Sequence, residues 1–367
     1  LNHYLALGYV PFDLCLVKGI KKLLPGHAGI YKYEEDKLHS WCYWKLPEYH
    51  ARNGIEGEQL AQESWDLIKD SIRLRLRSDV PVGVFLSGGL DSSLVTAAAV
   101  EISEQIVKTF TITVPGSKLD ESKHAEKIAE YFGTKHFELE FTGQYLDVID
   151  SLIPFVDEPL ADSSILPTFM VSKLTAEHVK VALGGDGGDE VFGGYHHYQS
   201  PLIGEARYGW VPKQLFKHAA NLTARLPAGV KGRNKISSLR DGWSYETAWG
   251  TPYFDVDLRK RIFSSEIVNE LSSEIDKPEQ SLLGLMKEGK DTVDALTRTD
   301  FYSVLPDDYL VKVDRMSMSN SIETRAPFLD YRLIEFMACV DKTVKMQGLE
   351  RKSILRKTFA DHCYCES

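Results

Sequence analysis

Apolar and polar residues form alternating blocks between positions 80 and 183, and the blocks have two different periods. Continuous apolar, β-branched stretches at 80–86, 107–114 and 179–183 are typical of strands buried on both faces of a parallel sheet. A shorter strand is predicted at 136–141. Apolar residues at helical spacing fall at 59–77, 94–100, 120–132, 145–153 and 163–177. Strands alternating with helices predict an α/β fold with a parallel, doubly wound sheet, whose ligands bind beyond the carboxyl ends of the strands.

The beginning of the chain has a different character. Residues 1–9 predict a short helix, and the stretches at 27–33 and 38–44 predict a β-hairpin around a polar turn. A hairpin of this size is marginally stable alone, so we expect it to pack on another part of the protein. Residues 46–58 are typical of a linker.

The β signal fades after about residue 200, and 256–316 predicts amphipathic helices that close the site. We therefore divide the chain into two parts. Residues 1–50 form the hairpin region, and 51–367 form one domain, with a sheet core at about 59–200 and a helical part at about 200–367.

Composition narrows the functional classes. The formal net charge of −10 argues against a nucleic-acid platform, and no apolar run reaches the roughly 18 residues of a membrane span. The five cysteines form no Cys-x-x-Cys pair, which fits a reducing, cytoplasmic environment.

A glycine- and serine-rich turn connects the first central strand to an alanine-rich helix. Its residues, 87–93, read Ser-Gly-Gly-Leu-Asp-Ser-Ser. Amide groups at a helix start attract anions, glycine lets an anion approach closely, and serine hydroxyls donate hydrogen bonds. Asp91 would repel a phosphate unless a divalent cation lay between them, so the turn predicts a Mg²⁺–nucleotide phosphate site. Neither a Walker loop nor a Rossmann glycine motif is present at this turn, and an ordinary capped helix start is the alternative.

A second glycine-rich stretch, 184–195, follows the predicted strand at 179–183 and reads GGDGGDEVFGGY. Asp186, Asp189 and Glu190 are close together in it, and clustered carboxylates repel one another unless a cation or a proton intervenes. At the carboxyl end of a strand they predict a second Mg²⁺ ligand or a proton acceptor. A solvated acidic loop is the alternative interpretation.

The turn at 87–93 resembles the PP-loop of ATP pyrophosphatases, which cleave ATP between its α- and β-phosphates. Together with 184–195 it resembles the synthetase domain of the glutamine-dependent asparagine synthetases, whose scaffold the β-lactam synthetases share. Three further motifs agree: LPDDYL at 305–310, ETRAPFLD at 323–330 and KSILR at 352–356. Residues 1–49 resemble the segment that joins the family's glutaminase domain to its synthetase domain. The resemblance covers essentially the whole chain and implies a PP-loop type of sheet.

The resemblance implies a two-step reaction with ATP and Mg²⁺ as cofactors. A substrate carboxylate attacks the α-phosphorus of ATP, which gives an acyl-adenylate and releases pyrophosphate. Ammonia then displaces AMP and forms an amide, which is asparagine when the substrate is aspartate.

The resemblance also implies roles for single residues. Asp186 and Lys352 are the expected catalytic residues, and Asp91 and Asp189 are the expected Mg²⁺ ligands. The expected residues for ATP and pyrophosphate are Phe85, Ser87, Gly88, Gly89, Asp91, Ser92, Ser93, Ile112, Gly184 and Gly185. The expected substrate-binding residues are Gly187, Glu190 and Ser163.

Two of these motifs have a second interpretation. The stretch 323–328 is equally typical of a structural element with a buried arginine–carboxylate pair. Lys352, beside Arg351, Arg356 and Lys357, would by default lie on a solvated helix face.

Departures from the family pattern leave the substrate and the nitrogen source open. Ser163 stands where aspartate-specific members place an arginine, so the identity of the substrate is open. We prefer aspartate, and a sugar carboxylate and a peptide carboxylate are the alternatives. Asp186 stands where the best-known relatives carry glutamate. Because no cysteine-initiated glutaminase domain is found, we expect a truncated chain that takes ammonia from a missing glutaminase domain or uses free ammonium. A homodimer stays open, and a non-catalytic nucleotide-binding protein is a further alternative.

Overall fold

A parallel five-stranded sheet organises the fold in the computed structural model, which describes residues 1–49, 57–117, 120–141, 148–208, 210–223 and 253–363. The strands are β1 His27–Lys32, β2 Lys37–Cys42, β3 Val82–Phe85, β4 Lys108–Thr113, β5 Lys135–Glu140, β6 Val181–Leu183 and β7 Glu323–Arg325. The order across the parallel sheet is β5-β4-β3-β6-β7, and β1 pairs with β2 as an antiparallel hairpin.

Helices surround the sheet on both faces. The first group is α1 Asn2–Leu7, α2 Gly57–Arg75, α3 Leu90–Ile102, α4 Ser122–Phe132, α5 Ile149–Leu152, α6 Ile165–Ala176, α7 Gly188–Phe192, α8 Gln199–Tyr208 and α9 Lys213–Thr223. The second group is α10 Val256–Ile262, α11 Ser265–Leu271, α12 Lys277–Met286, α13 Thr292–Tyr302, α14 Leu310–Met318, α15 Tyr331–Ala338, α16 Lys342–Lys345 and α17 Ser353–Cys363. A π-helical turn at Leu305–Tyr309 leads directly into α14.

The central strands and helices confirm the predicted doubly wound α/β fold. Each predicted central strand is present within two residues of its expected bounds. The helix after the glycine turn begins at Leu90 rather than at 94, because the turn itself enters the helix. Its small residues are buried almost all round, which lets α3 pack closely between the sheet and α2.

The crossovers between strands change direction at the centre of the sheet. From β3 the chain proceeds to β4 and β5 on one side, whereas from β6 it proceeds to β7 on the other. Val84 of β3 lies directly opposite Leu183 of β6. The loops that leave these two strands therefore start side by side, at the topological switch point where open α/β sheets bind ligands.

One strand lies outside the range of about 59–200 predicted for the sheet core. Glu323–Arg325 pairs in parallel with β6, and the amide of Gly184 donates to the carbonyl of Arg325 at 2.9 Å. Three charged or polar residues carry no apolar strand pattern, so tertiary pairing rather than propensity makes this strand. The Arg325 guanidinium donates to the carbonyls of Arg75 and Arg77. Its carboxylate partner Glu323 is 58% exposed, so the motif is structural but does not form the buried arginine–carboxylate pair that was the alternative.

The N-terminal region contains the predicted helix and hairpin and contacts the rest of the chain. Asn2 donates to the carbonyl of Ile275 at 3.1 Å, and the Trp44 indole donates to Glu335 at 2.8 Å. The hairpin itself is largely exposed, and every residue of β2 is solvent-accessible. Most of the predicted linker over 46–58 lies outside the described residues.

Across the part of the chain that the structure describes, no helix is both long and apolar enough to cross a membrane.

The packing of the second glycine-rich loop can be tested at Phe328. Its ring is fully buried and packs edge-on against Phe192 with a centroid distance of 5.8 Å. Replacing Phe328 by alanine should lower the free energy of unfolding by about 3–5 kcal/mol, because a buried aromatic is lost and a cavity remains. Urea denaturation measures this change. Tyr331→Ala, at a side chain that is 59% exposed, should stay within about 0.5 kcal/mol, and equal losses would contradict the packing.

Candidate active site

The turn at 87–93 is held in shape by its own serines. The Ser87 amide donates to Ser92 Oγ at 3.2 Å, and Ser93 Oγ donates to the carbonyl of Gly89 at 2.8 Å. Gly88 has φ +81°, and a Cβ there would lie 2.6 Å from the backbone nitrogen of Ala125 on α4. Only glycine fits between the turn and α4, so this contact fixes the position of the turn at the start of α3.

The two glycine-rich loops touch one another. A Cβ on Gly188 would lie 2.6 Å from Asp91 Cγ, and one on Gly185 would lie 3.1 Å from Asp91 Cβ. Glycine at both positions lets the loop after β6 approach the start of α3 closely. The convergence expected from the sequence is thus present, since both turns meet at the end of adjacent strands.

Lys352 joins the carboxylates of the two loops. Its Nζ lies 2.5 Å from Asp91 Oδ2 and 2.7 Å from Asp189 Oδ1. The lysine side chain is only 12% exposed, which rules out the solvated helix face. Lys352 also has φ +53°, a left-handed backbone conformation that costs a non-glycine residue about 1–3 kcal/mol. The fold therefore holds a strained residue in place so that its ammonium reaches both loops.

The charges in this cluster depend on one another. Burial raises the pKa of Asp91, and the Lys352 charge opposes that rise. Burial lowers the pKa of Lys352, but the negative charges of Asp91 and Asp189 have the larger effect, so the lysine pKa is raised. Asp91 Oδ1 is buried without a hydrogen-bond partner. An unsatisfied buried carboxylate oxygen is costly, so it marks a position for a cation or a donor from a ligand.

Asp91 and Asp189 fit a Mg²⁺ ion that is shared with a nucleotide. Protein Mg²⁺ sites often use one or two carboxylates and complete the shell with substrate phosphates and water. Over the described ranges, no three histidine, cysteine or acidic side chains form a metal-binding group. Two carboxylates with one unsatisfied oxygen match the shared type of site rather than a closed protein cage.

A cavity of about 400 Å³ opens beside the two loops. The loops form one wall, while α6, α14 and the π-helical turn form the other. The lining residues are Phe85, Ser87, Asp91, Ser92, Thr168, Val171, Gly184, Gly185, Asp186, Gly187, Asp189, Glu190, Tyr195, Leu305, Tyr309, Lys312 and Val313. Most of the residues assigned from the sequence are therefore brought together around one space.

The remaining assigned residues lie beside this cavity or away from it. Gly88, Gly89 and Ser93 shape the turn rather than line the cavity. Ile112 is half-buried in β4, and Ser163 is exposed in the turn before α6. Their binding roles stay predictions.

Burial governs the pKa of two further acids of the second glycine-rich stretch, Asp186 and Glu190. It raises the pKa of Asp186, with Lys312 opposing the rise. It raises the pKa of Glu190 to about 8, although Tyr195 Oη donates to Glu190 Oε1 at 2.6 Å. The Glu190 carboxyl group is consequently mostly protonated near pH 7, and Asp186 binds protons more tightly than an exposed aspartate does.

Tyr195, Tyr309 and Lys312 line the cavity although the sequence did not assign them roles. Tyr195 lies within the second glycine-rich stretch, so its position was available from the sequence. Tyr309 and Lys312 lie in or near the motif at 305–310, but their side chains reach the cavity through a π-helical turn that no sequence pattern indicates.

Comparisons with known proteins give a consistent result. The Asparagine synthase family model matches residues 64–364. Asparagine synthetase [glutamine-hydrolyzing] 1 of Bacillus subtilis is 28% identical over 97% of this chain and 55% of its own length. Putative asparagine synthetase [glutamine-hydrolyzing] 2 of Methanocaldococcus jannaschii is 31% identical over 86% of this chain and 60% of its own length. Amidase chyE of Penicillium rubens is 25% identical over 93% of this chain and 55% of its own length. The chain spans little more than half the length of these relatives.

The close approach of the two loops can be tested at Gly188. A methyl group there would collide with the Asp91 carboxylate, so Gly188→Ala should weaken MgATP binding at least about tenfold. Gly284→Ala is the control, because that glycine lies within α12 with open space around its Cα. Isothermal titration should show normal affinity for the control, and normal affinity for Gly188→Ala would contradict the described contact.

Proposed function

Because the chain belongs to the asparagine synthase family, we propose that it is an ATP-dependent ligase that adenylates a carboxylate and transfers the acyl group to ammonia. Aspartate is the proposed substrate, with asparagine, AMP and pyrophosphate as products. The observation that carries the proposal is the Asp91–Lys352–Asp189 cluster at the meeting point of the loops after β3 and β6. It lies at the wall of a cavity large enough for a small-molecule site.

In the first step, a carboxylate oxygen of the substrate attacks the α-phosphorus, and the bond from that phosphorus to the bridging oxygen breaks. Pyrophosphate leaves with the electron pair. We propose that the amides at the start of α3 and the hydroxyls of Ser87 and Ser92 bind its oxygens. Mg²⁺, held by Asp91 and Asp189, would neutralise phosphate charge when bound. The Lys352 ammonium, held between the same two carboxylates, adds a further positive charge at this point.

In the second step, ammonia attacks the acyl carbon and AMP leaves with the electrons of the acyl–oxygen bond. The attacking nitrogen must lose a proton. Asp186 lines the cavity, and its raised pKa makes it a stronger base than an exposed aspartate. A Cβ on Gly184 would overlap the Asp186 carboxylate, so glycine at that position leaves room for the base.

Ammonia has two proposed sources. The Bacillus subtilis and Methanocaldococcus jannaschii relatives are named glutamine-hydrolyzing, and the chain spans little more than half their length. We therefore propose that a glutamine-hydrolysing part supplies ammonia and that free ammonium replaces it in vitro. The exposed apolar side chains of Ile30 and Trp41, which the strand register places on one face of the hairpin, form the proposed contact surface for that part.

A related reaction on another carboxylate is the second candidate. The similarity to a protein named amidase chyE favours it, because that relative is named for a different activity. Ser163 also places no positive charge in the cavity wall.

The direct test incubates the protein with MgATP, ammonium and one carboxylate at a time. Aspartate should stimulate release of pyrophosphate, with AMP and asparagine formed in equal amounts. Release stimulated only by another carboxylate would favour the second candidate. No stimulation by any carboxylate would contradict the proposed adenylation.

Lys352 provides the sharpest variant for this reaction. Lys352→Met should lower kcat for pyrophosphate release at least about 100-fold, because one fixed charge at the departing group is lost. Lys357→Met is the matched control, since Lys357 lies on α17, which begins directly after Lys352, and its ammonium lies 3.6 Å from the exposed Glu58. The control should stay within about twofold of the unchanged protein. Retention of more than about a tenth of the activity by Lys352→Met would contradict the assigned role.

A further inference from the structure

Lys312 is a buried lysine that is fixed in the cavity wall. Its Nζ lies 2.6 Å from Asp162 Oδ2 and 2.6 Å from Ser164 Oγ, and 5.1 Å from the centre of the Tyr309 ring. The side chain is 11% exposed. A lysine ammonium has three N–H donors, of which Asp162 and Ser164 take two. Lys312 lines the cavity, which leaves its third donor for a ligand there.

The backbone around Lys312 is unusual. The π-helical turn at Leu305–Tyr309 precedes it, and such turns are rare and often found at functional sites. The turn and the following helix place Leu305, Tyr309 and Lys312 together in the wall. A charged group that is locked by two hydrogen bonds and a ring loses little freedom when it binds a ligand.

The two lysines of the site serve different parts of the cavity. Lys352 forms ion pairs with Asp91 and Asp189 in the two glycine-rich loops. Lys312 instead acts on Asp186, whose pKa burial raises and Lys312 lowers. Among the described residues that line the cavity, Lys312 is the cationic one. Asp308 lies near Lys312 and Asp162, and burial raises its pKa to about 7, so it is partly protonated at neutral pH.

We propose that Lys312 is a specificity-determining residue, whose remaining N–H donor binds a second acidic group on the carboxylate substrate. The proposal rests on the proposed function. The substrate's reacting carboxylate must lie next to the α-phosphate, on the side of Asp91 and Lys352. The other end of a short dicarboxylic substrate then reaches the wall that holds Lys312, which selects an acidic end over an uncharged one.

The test compares aspartate with β-alanine, which differs from it by lacking one carboxylate. In the unchanged protein, kcat/KM for pyrophosphate release should be higher for aspartate. Lys312→Met should reduce that preference at least tenfold by raising KM for aspartate, with kcat and the KM for ATP changed less than threefold. The kcat/KM for β-alanine should fall by a much smaller factor than that for aspartate.

Two controls separate specificity from folding. Arg315→Met removes a cation from the same helix, where Arg315 pairs with an exposed Asp157, and it should keep the preference for aspartate. Lys312→Met combined with Asp162→Asn removes both members of the buried pair and avoids an unpaired carboxylate. It should lose the preference as Lys312→Met does. A loss of kcat shared equally by both substrates, or an unchanged preference, would overturn the proposal.

Direct binding distinguishes this proposal from the proposed function. Saturation-transfer NMR with MgATP present and ammonium omitted detects binding of aspartate and β-alanine to the protein separately from amide formation. If the unchanged protein releases no pyrophosphate but binds aspartate in a Lys312-dependent manner, adenylation fails and the Lys312 assignment stands. If aspartate does not bind, or binds equally to Lys312→Met, the Lys312 assignment fails whatever the turnover shows.

Discussion

The ion cluster of Lys352 with Asp91 and Asp189 is the interaction on which the site depends. The Asp91 and Asp189 carboxylates come from separate loops and would repel one another without a cation between them. One buried ammonium within 2.7 Å of both removes that repulsion and fixes the distance between the loops. A buried ion pair contributes little net stability, because desolvation offsets the attraction. The ion cluster instead fixes the positions of the two loops. Lys352 has a left-handed backbone conformation, which costs free energy, so the surrounding structure must hold this residue in place.

The sheet topology makes this cluster possible. The loops after the adjacent parallel strands β3 and β6 begin at the same edge of the sheet, at the carboxyl ends of the strands. Gly185 and Gly188 let the two loops come into contact. Strand β7, which lies far along the chain, pairs with β6, and Gly184 bonds directly to its last residue. The segment that follows β7 then leads through α15 and α16 to Lys352. Residues separated by 261 positions therefore meet because the sheet orders the chain between them.

Much of the fold and of the phosphate end of the site could be predicted from the sequence, because both are encoded in contiguous residues. Continuous apolar runs indicate buried strands, and the two glycine-rich strings follow them directly. Strand β7 could not be predicted, since three polar residues become a strand only by pairing with β6. The roles of Tyr309 and Lys312 were missed for a similar reason, because a π-helical turn directs them to the cavity. Ser163 was assigned by its position in the motif, yet its neighbours Asp162 and Ser164 are the residues that reach Lys312.

A double-mutant cycle for MgATP binding tests the central claim most directly. Affinities of the unchanged protein, Asp91→Asn, Asp189→Asn and the double variant are measured by isothermal titration. If the two carboxylates hold one magnesium-bound nucleotide together, the effects should be non-additive, with a coupling free energy of about 0.5–3 kcal/mol. Additive effects within about 0.3 kcal/mol would mean that the two loops act independently, and would contradict the account.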